Sequence, residues 1–596
     1  MALQSKTQIY IAGKEVPTYI NLMLHQQIDS HQTLELVCRM DVLENLTTEL
    51  GEESKNFLGE KLSLQITSVE GMGDEYQEFE FIGIVTEVKT VKGITSSGDK
   101  VVIKVQSPTF LADDGPHYAS YYDVSLSEIV HNSLGNFSKI ELKNQPKDDA
   151  TIHYSVQHNE SAYDYVSRLA AQYSEWFYYN GKQIVFGAPE DEELELTYDH
   201  DLKEFHIALM PKAQNYKFYA KDYLLDEVHE KDAKDITSGA NGYNGFVANK
   251  AKDIYTQETK IWHNLYIDKN AKQRLDKNIE NQKKAIEIQQ VKLAGISENP
   301  GVKLGNIVKV EGASYRVISV THTNNENGDY ENRFTAVTAE FDTYPNTNIQ
   351  AYPRGESQNA IVKDNADPEG LGRIRVQFPW QEEKGEMTPW LRIVTPHAGG
   401  DKGFHFIPEV DEEVLIGFEG GNAEKPYMLG SLYHGTAKPD SWKTDANDIK
   451  AIRTRSGHTI EFNDAKGAES ITITDINSNR IYIDTANDNI EVTANNNITI
   501  STAENMTFNA KNVAFNVQEN MDLTIGKNKT EAITEKLEVT AKNSTQQIFK
   551  NKEVTIGKKL EQVSGELLMQ TNEGKMLIDG KGKITIQSAE DVDYGD

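Results

Sequence analysis

The last quarter of the chain repeats a short apolar-polar-apolar triplet, beginning with Ile471-Thr-Ile473 and Ile481-Tyr-Ile483. The first seven triplets start 10, 9, 8, 8, 7 and 8 residues apart, and polar spacers rich in asparagine separate them. The pattern blurs after Ile525 and then returns. The further triplets are Ile490-Glu-Val492, Ile498-Thr-Ile500, Met506-Thr-Phe508, Val513-Ala-Phe515, Met521-Asp-Leu523, Leu537-Glu-Val539, Val554-Thr-Ile556, Met576-Leu-Ile578 and Ile584-Thr-Ile586.

Each triplet predicts a short β-strand with one apolar face and one polar face. The spacers are too short for a helix, so a single repeat cannot bury its own apolar face. A β-helix made by one chain needs coils of roughly 20 residues or more. The near-octad period therefore favours a trimeric, intertwined β-prism in which each chain supplies one wall, and a meander of short hairpins is the alternative. Such a prism would be a stiff shaft with its strand edges hidden.

Composition sets broad limits on the rest of the chain. A length of 596 residues predicts more than one domain. The net charge of −31 argues against DNA or an anionic membrane as the main partner. The single cysteine, Cys38, lies in a strand-like run and cannot form an internal disulfide. We expect it to be a small buried apolar residue.

The first ten residues lack the apolar core of a signal peptide, and no apolar run reaches about 18 residues. We therefore expect the chain to be assembled in the cytoplasm. If it leaves the cell, we expect it to be secreted without a signal peptide. Only ten residues follow Ile586, so we also expect no toxin domain to be appended to this chain.

Residues 1–115 read as strands and turns without helical periods, which predicts a β-barrel domain or sandwich. Residues 116–350 predict a second domain with helices and further strands. Ser125 and Asn159 are the predicted N-caps of two helices, and Asn180-Gly181 predicts a hairpin. We expect residues 230–260 to be a loop. Residues 268–296 predict a long polar helix whose latter part could equally be a strand.

Two acidic clusters, Asp191-Glu-Glu193 and Tyr198-Asp-His-Asp201, raise the question of a metal site. A metal site needs converging ligands, and spacing along the chain does not supply them. We interpret both clusters as solvated loops.

Residues 351–440 have the size of a five-stranded OB-fold module. The expected strands include Trp390–Val394. Aromatic and arginine side chains suggest nucleic acid as one possible ligand, but the acidic residues around them argue against a phosphate groove. We therefore expect a structural role for Arg373, Arg375, Phe378, Trp380 and Trp390.

Several stretches resemble VgrG, the spike family of type VI secretion systems, which is related to contractile phage tail hub and spike proteins. In the OB-type module the resemblance lies in Asp367-Pro-Glu-Gly-Leu-Gly-Arg-Ile-Arg-Val-Gln-Phe-Pro-Trp380 and in residues 390–394 and 406–420. Residues 453–460, Arg-Thr-Arg-Ser-Gly-His-Thr-Ile, resemble the family's neck into its β-helix. Residues 158–165 and 330–334 resemble its hub domains. Asp411 stands where the family usually has glycine, which suggests a divergent branch.

The resemblance implies a homotrimeric baseplate hub and spike, seated on hexameric tube protein and driven mechanically through a target membrane. It implies a PAAR-type tip protein, baseplate proteins and effectors as further partners, and no catalytic residue, cofactor, metal or nucleic acid. The last triplet would leave an apolar blunt end, so we expect Ile584, Ile586 and Gln587 to form the tip-protein interface. The implied domains are a hub β-barrel (1–115), a second hub domain (116–350), an OB-fold module (351–440) and a neck with β-helical spike (441–596).

Two alternatives remain open. The chain could be the spike of an extracellular contractile injection system or of a phage tail. It could also be a β-helical carbohydrate-active enzyme, which is the less favoured reading because no Walker loop, His-Glu-x-x-His or Gly-x-Ser-x-Gly motif occurs.

Overall fold

The computed structural model describes residues 5–44, 51–68, 77–93, 98–590 and 592–593. The chain divides into two compact units, residues 1–495 and residues 496–596. The mainly β class predicted from the sequence is confirmed. Within the described ranges, no helix has the length and apolar character that crossing a membrane would require.

The first unit begins with a hub of strands and a few helices. Its strands are β1 (Ser5–Ile11), β2 (Lys14–Glu15), β3 (Asn21–Gln27), β4 (Thr33–Arg39), β5 (Lys61–Ser68), β6 (Glu78–Val91), β7 (Lys100–Gln106), β8 (His117–Ser125), β9 (Leu142–Gln145), β10 (Thr151–Glu160), β11 (Trp176–Tyr179), β12 (Ile184–Gly187), β13 (Glu193–Glu195), β14 (Leu202–Leu209), β15 (Tyr216–Asp222), β16 (Glu227–Asp232), β17 (Thr259–Trp262), β18 (Val291–Ser297), β19 (Ile307–Val310), β20 (Ala313–Asn325) and β21 (Glu331–Thr338). Its α-helices are α1 (Met40–Leu43), α2 (Leu126–Leu134), α3 (Ala162–Tyr173), α4 (Gly242–Ile254) and α5 (Ala271–Ile288).

One large sheet organises the hub. Its order is β14-β18-β21-β20-β3-β4-β7-β6-β5-β1-β2, with β19 added to β20 and β13 to β19. Strand β3 pairs with β20, so the sheet joins strands from both sides of residue 115. The domain boundary placed there stays a prediction. Alternate residues of these strands are buried in one core with α2 and α3, and Cys38 is buried there as predicted.

Two of the three local predictions for the second hub region are confirmed, and the third, a helix N-cap, is wrong by two residues. Ser125 caps α2, with its hydroxyl accepting from the backbone N–H of Glu128. Asn180-Gly181 lies in the turn of the β11–β12 hairpin as predicted. The predicted cap Asn159 is wrong, because Ser161 caps α3 and Asn159 is the last but one residue of β10.

The predicted loop at 230–260 is wrong, because it contains α4 and β17. The sequence gives only a weak periodic signal for α4, because its buried face is small and partly polar. That face consists of Asn244, Val247, Ala248 and Ala251. The predicted polar helix over 268–296 is confirmed as α5, and its latter part is indeed a strand, β18.

The OB-fold module has its own core and a short barrel of strands. Segment 390–394, predicted as a strand, forms no ladder of its own. It makes single bridges at Ile374–Leu391 and Ile393–Met428, and so closes the barrel between its two edge strands. The strands are β22 (Gln358–Asp364), β23 (Arg375–Gln377), β24 (Ala398–Gly399), β25 (Lys402–Gly403), β26 (Glu413–Phe418) and β27 (Pro426–Ser431), with the main sheet in the order β23-β22-β26-β27.

The first unit ends in a five-stranded antiparallel meander in sequence order. Its strands are β28 (Ile449–Arg453), β29 (Thr459–Asn463), β30 (Ser470–Thr474), β31 (Arg480–Asp484) and β32 (Asn489–Thr493). The first three triplets of the repeat are β30, β31 and β32, so in this part of the repeat the hairpin meander is the observed arrangement.

The second unit is different in kind. Residues 496–590 contain no strand or helix, and each of them is exposed. No backbone–backbone hydrogen bond joins two of these described residues.

Candidate functional site

The meander has one continuous apolar face, which its register creates. Five side chains lie directly opposite one another across the five strands and form one row: Ile452, Ile460, Ile473, Ile481 and Val492. A second row on the same face contains Phe462, Ile471, Ile483 and Ile490. We call these nine residues the apolar ladder.

The opposite face of the meander is polar. Glu461, Thr472, Tyr482 and Glu491 form one of its rows. Side chains alternate between the two faces of a strand, so the triplet pattern alone produces this separation. The meander is therefore a single layer with one face suited to a core and one suited to water.

Among the described residues of the first unit, seven of the nine ladder residues are exposed, and Ile471 and Ile483 are half-buried. Ile460 is 38% exposed and Ile490 is 71% exposed, whereas the core isoleucines of the hub are nearly inaccessible. A sheet that is apolar on one face requires a second layer against that face. The apolar ladder is thus a face without such a second layer among the described residues of the first unit.

The triplets of the second unit are uncovered to a greater degree. Phe508 and Phe515 are each 67% exposed, and Leu523 is 63% exposed. Their backbone groups also lack partners within the unit. A chain segment with alternating apolar residues and unpaired backbone N–H and C=O groups is suited to pairing with other strands.

The three predicted tip residues lie at the end of this segment. Ile584 and Ile586 are 51% and 59% exposed, and Gln587 is exposed as well. All three are in extended chain outside any strand. A role for these three residues in binding a tip protein stays a prediction.

A buried polar network joins the OB-fold module to the hub. The Glu424 carboxylate, from the OB-fold module, accepts a hydrogen bond from the Ser155 hydroxyl at 3.2 Å. Arg168 of α3 lies 3.7 Å from Glu424 and donates to Glu160 at 2.7 Å. Burial raises the pKa of the Glu424 carboxyl even though the Arg168 guanidinium lowers it. Ser155 and Arg168 both belong to the hub, so this carboxylate of the OB-fold module is held by hub residues.

Aromatic stacking supports the same junction. Trp380 stacks on Phe378 with ring centroids 5.3 Å apart, and on Tyr118 of the hub at 5.4 Å. The Arg375 guanidinium lies over the rings of Tyr122 and Trp390. Tyr118 and Tyr122 belong to the hub, so these contacts pack the OB-fold module against it.

A small internal cavity of about 90 Å³ lies at this junction. His263, Tyr154 and Asn264 line it, and each has a buried polar atom without a hydrogen-bond partner among the described residues. Burial, together with Arg274 and Lys425, lowers the pKa of His263 to about 4. Unpaired polar atoms around a cavity of this size are suited to buried water.

The two acidic clusters do not converge. The Asp191 carboxylate pairs with Arg316, and the Asp201 carboxylate accepts from the backbone N–H of Thr197. In the described ranges no group of three or more histidine, cysteine, aspartate or glutamate side chains is arranged to hold a metal ion.

Two family models match parts of the chain. Residues 33–194 match the phage tail baseplate hub (GPD) family, and residues 358–433 match the type VI secretion system/phage-baseplate injector OB domain. The chain is thus similar to a baseplate hub in one segment and to an injector OB domain in another. The resemblance to the VgrG spike family that the sequence predicts is confirmed.

Curated relatives carry the same family name. The chain is 26% identical over 373 residues to the type VI secretion system spike protein VgrG4b of Pseudomonas aeruginosa, covering 54% of this chain and 45% of that protein. It is 31% identical over 87 residues to VgrG2a of the same organism, 14% of this chain and 10% of that one. It is 24% identical over 157 residues to the actin cross-linking toxin VgrG1 of Vibrio cholerae, 24% of this chain and 14% of that protein. The matches span less than half the length of these relatives.

Solved structures show the same fold. The Francisella PdpA–VgrG complex in its lidded form is similar with a TM-score of 0.54 at 11% identity, covering 82% of this chain and 80% of that one. Its lidless form gives a TM-score of 0.51 at 10% identity, covering 83% and 98%.

The sequence carries a signal for the apolar ladder but none for the junction between the hub and the OB-fold module. The triplet spacing reveals the ladder because each row repeats locally. Glu424 and Arg168 carry no such signal, since residues that lie 256 positions apart give no local pattern.

Proposed function

We propose that the protein is the trimeric, membrane-puncturing spike of a type VI secretion system. The observation that carries the proposal is the uncovered apolar ladder, continued by the exposed triplets of the second unit. Three copies related by a threefold axis can turn three such faces inward and cover one another. Cyclic closure also removes the free strand edges, which gives a stiff shaft.

In this proposal the hub seats the trimer on hexameric tube protein, with baseplate proteins around it. The family model for residues 33–194 supports the hub role. The shaft is driven mechanically through a target membrane, and effectors travel with it. The protein is assembled in the cytoplasm and reaches the exterior or a target cell without a signal peptide. It acts as a structural component rather than an enzyme, in keeping with the spike names of its relatives.

The domain assignment stays part of the proposal. Residues 351–440 form the OB collar, which the match over 358–433 supports. Residues 441–596 form the neck and spike. The boundary at 115 divides two hub domains that share one sheet.

The tip of the spike is the second part of the proposal. Ile584, Ile586 and Gln587 bind a PAAR-type tip protein, because three copies of this last triplet present an apolar end. The variant pair Ile584→Asp/Ile586→Asp should lose binding of the purified tip protein while remaining trimeric. Thr585→Asp, whose side chain lies on the opposite face of the same triplet, is the matched control. Equal binding by both variants would remove these residues from the interface.

The molar mass in solution is the first test. Light scattering of the full chain should give three times the chain mass of 67.0 kDa. A folded monomer that stays monomeric at high concentration would overturn the spike proposal.

A test in cells follows. In the bacterium that carries the gene, deleting it should stop release of tube protein into the medium, and the intact gene should restore release. Restoration by a variant with a polar ladder would contradict the mechanism. Neighbouring genes separate this proposal from the alternatives, since a membrane complex indicates type VI secretion and tail-assembly genes indicate a phage or extracellular particle.

A further inference from the structure

The large sheet of the hub contains two four-stranded units with the same topology. The first unit is β3, β4, β6 and β7, and the second is β14, β18, β20 and β21. Their spatial orders, β3-β4-β7-β6 and β14-β18-β21-β20, are the same when the strands are counted along the chain, and all neighbours are antiparallel. The third strand of each unit has a register shift at the same place, between Val85 and Glu87 in β6 and between Val317 and Ser319 in β20. The two units therefore correspond strand by strand.

The corresponding strands β6 and β20 are both long, and each uses its two halves differently. Before the register shift, β6 pairs with β5 and β20 pairs with β19. After the register shift, residues 319–325 of β20 pair with β3, the first strand of the other unit. This pairing is how the second unit contacts the first within the chain.

The two edges that correspond to this contact are unpaired. After its register shift, β6 (residues 87–91) pairs with β7 alone among the described strands. Strand β14, the counterpart of β3, pairs with β18 alone among them. Leu209 and Met210, at the end of β14, are 40% and 37% exposed. A free strand edge carries unpaired N–H and C=O groups and is a template for another strand.

The cross-strand rows of the two units give the residue correspondence between them. In the first unit, the row that begins at Glu87 of β6 ends at Met23 of β3. In the second unit, the row that begins at Ser319 of β20 ends at His206 of β14. Glu87 therefore corresponds to Ser319, and Met23 corresponds to His206.

The observed pairing of β20 with β3 then supplies a register for the two free edges. Two residues further along each strand, Lys89 corresponds to Thr321 and Ala208 corresponds to His25. Thr321 lies opposite His25 in the observed contact. The equivalent register places Lys89 opposite Ala208.

We propose that residues 87–91 of β6 pair antiparallel with residues 206–210 beside β14 in a second copy of this chain, with Lys89 opposite Ala208. The inference rests on the trimer of the proposed function. Each copy supplies one β6 edge and one β14 edge, so three copies around a threefold axis pair head to tail and close a ring in which neither edge is free. The same register places Val88 opposite Leu209, which brings two apolar side chains together.

This contact is small. Five residues of strand pairing bury far less than the roughly 1,200–2,000 Å² of a stable protein interface. We therefore expect the two edges to pair only where the triplets already hold three copies together, because tethering raises the effective concentration of one edge for the other. A shortened chain without the triplets should keep both edges free.

Disulfide cross-linking of the full-length protein tests the register. The variant Lys89→Cys/Ala208→Cys places two thiols directly opposite each other, within the Cα separation of about 4.4–6.8 Å that a disulfide needs. We expect covalent dimers and trimers, and nothing larger, on a non-reducing gel after mild oxidation. The native Cys38 is buried and does not compete.

Two kinds of control variant set the background. Glu87→Cys/His206→Cys also changes exposed side chains, but the proposed register separates these positions by four residues, or about 13 Å. Lys89→Cys alone and Ala208→Cys alone should not cross-link, because a head-to-tail contact does not bring identical residues together.

The molar mass of each variant under reducing conditions separates this inference from the spike proposal. A trimer in which the paired variant cross-links no faster than Glu87→Cys/His206→Cys would overturn the pairing of β6 with β14 and leave the spike proposal standing. A folded monomer would overturn both. Cross-linking of a single-cysteine variant would also contradict the head-to-tail arrangement.

Discussion

The hub and the second unit both contain the apolar-polar-apolar triplet, but its apolar side chains are buried in the hub and exposed in the second unit. Ile9-Tyr-Ile11 in β1 resembles Ile498-Thr-Ile500 in sequence. The isoleucines of the first are each 1% exposed, and those of the second are 55% and 71% exposed. Ile9 and Ile11 are covered because β1 lies in a 13-stranded sheet and its apolar face belongs to the shared hub core. Ile498 and Ile500 have no covering element within their own unit.

Alternation of apolar and polar residues predicts a strand, but it does not predict what covers the apolar face of that strand. The pattern decides that a segment is a strand with one apolar face, and the rest of the assembly decides what covers that face. The meander lies between the two cases. Its strands pair within the chain, as hub strands do, while its apolar ladder remains uncovered, as in the second unit.

Removing the uncovered triplets altogether should have the largest effect on the oligomeric state. A chain of residues 1–448 should have the mass of one copy, whereas the full chain should have the mass of three. The hub and OB-fold cores are complete within the shortened chain, so it should keep its β-rich circular dichroism spectrum. A stable trimer of residues 1–448, measured by light scattering, would place the main trimer contacts outside the triplets.

A single charge should distinguish the two faces of the meander. Ile473→Asp places an ionised carboxylate in the face that the proposed trimer would bury, where an unpaired charge costs several kcal/mol or more. We expect loss of the trimer at micromolar concentration in light scattering. Thr472→Asp, on the polar face of the same strand, should leave the mass unchanged. Equal behaviour of the two variants would contradict the assignment of the faces.

The hub–OB junction should lose stability when its buried carboxylate is removed. Glu424→Ala removes one side of a buried ion pair and leaves Ser155 and Arg168 without this partner. Breaking such a pair costs about 3–5 kcal/mol. Denaturant unfolding of residues 1–495 should show this loss of free energy of unfolding. The control Glu382→Ala changes an exposed carboxylate and should have little effect.

His263 should make the stability of the first unit depend on pH. Its pKa is lowered to about 4 in the folded protein, so between about pH 6.5 and pH 4 the unfolded chain takes a proton that the folded chain refuses. The free energy of unfolding therefore falls as the pH falls through that window, by about 3 kcal/mol in total.

The variant His263→Phe should flatten this part of the pH profile, and the adjoining cavity leaves room for the larger ring. His405→Phe replaces an exposed histidine and should keep the slope of the parent protein. A profile unchanged by His263→Phe would show that other groups cause the acid sensitivity.

Local signals account for what the sequence could predict. Ser125 caps its helix and Asn180-Gly181 turns its hairpin because the side chain or the backbone freedom needed is present at the site itself. Helix α4 escaped prediction because its outward residues, Tyr243 and Phe246, are as apolar as its inward ones, and this removes the expected periodicity. The apolar ladder was predictable in outline from the triplets, but its pairing within the chain was not.

Long-range pairings account for most of the rest. The register of β3 against β20 joins His25 to Thr321, and no local pattern specifies that choice. The Glu424–Arg168 contact depends in the same way on how the OB-fold module docks on the hub. The groove beside α4 requires three separate segments, around Leu209, α4 and Glu340, to meet.

The pairing of β3 with β20 also fixes an order of events during synthesis. Strand β3 leaves the ribosome almost 300 residues before its neighbour β20 exists. At about 5–20 residues per second, its free edge waits for on the order of 15–60 s. During that interval an open, partly apolar strand edge is available to other nascent chains of the same kind. A chaperone that covers the free edge of β3 is therefore needed while the hub is being synthesised, well before the last triplets are translated.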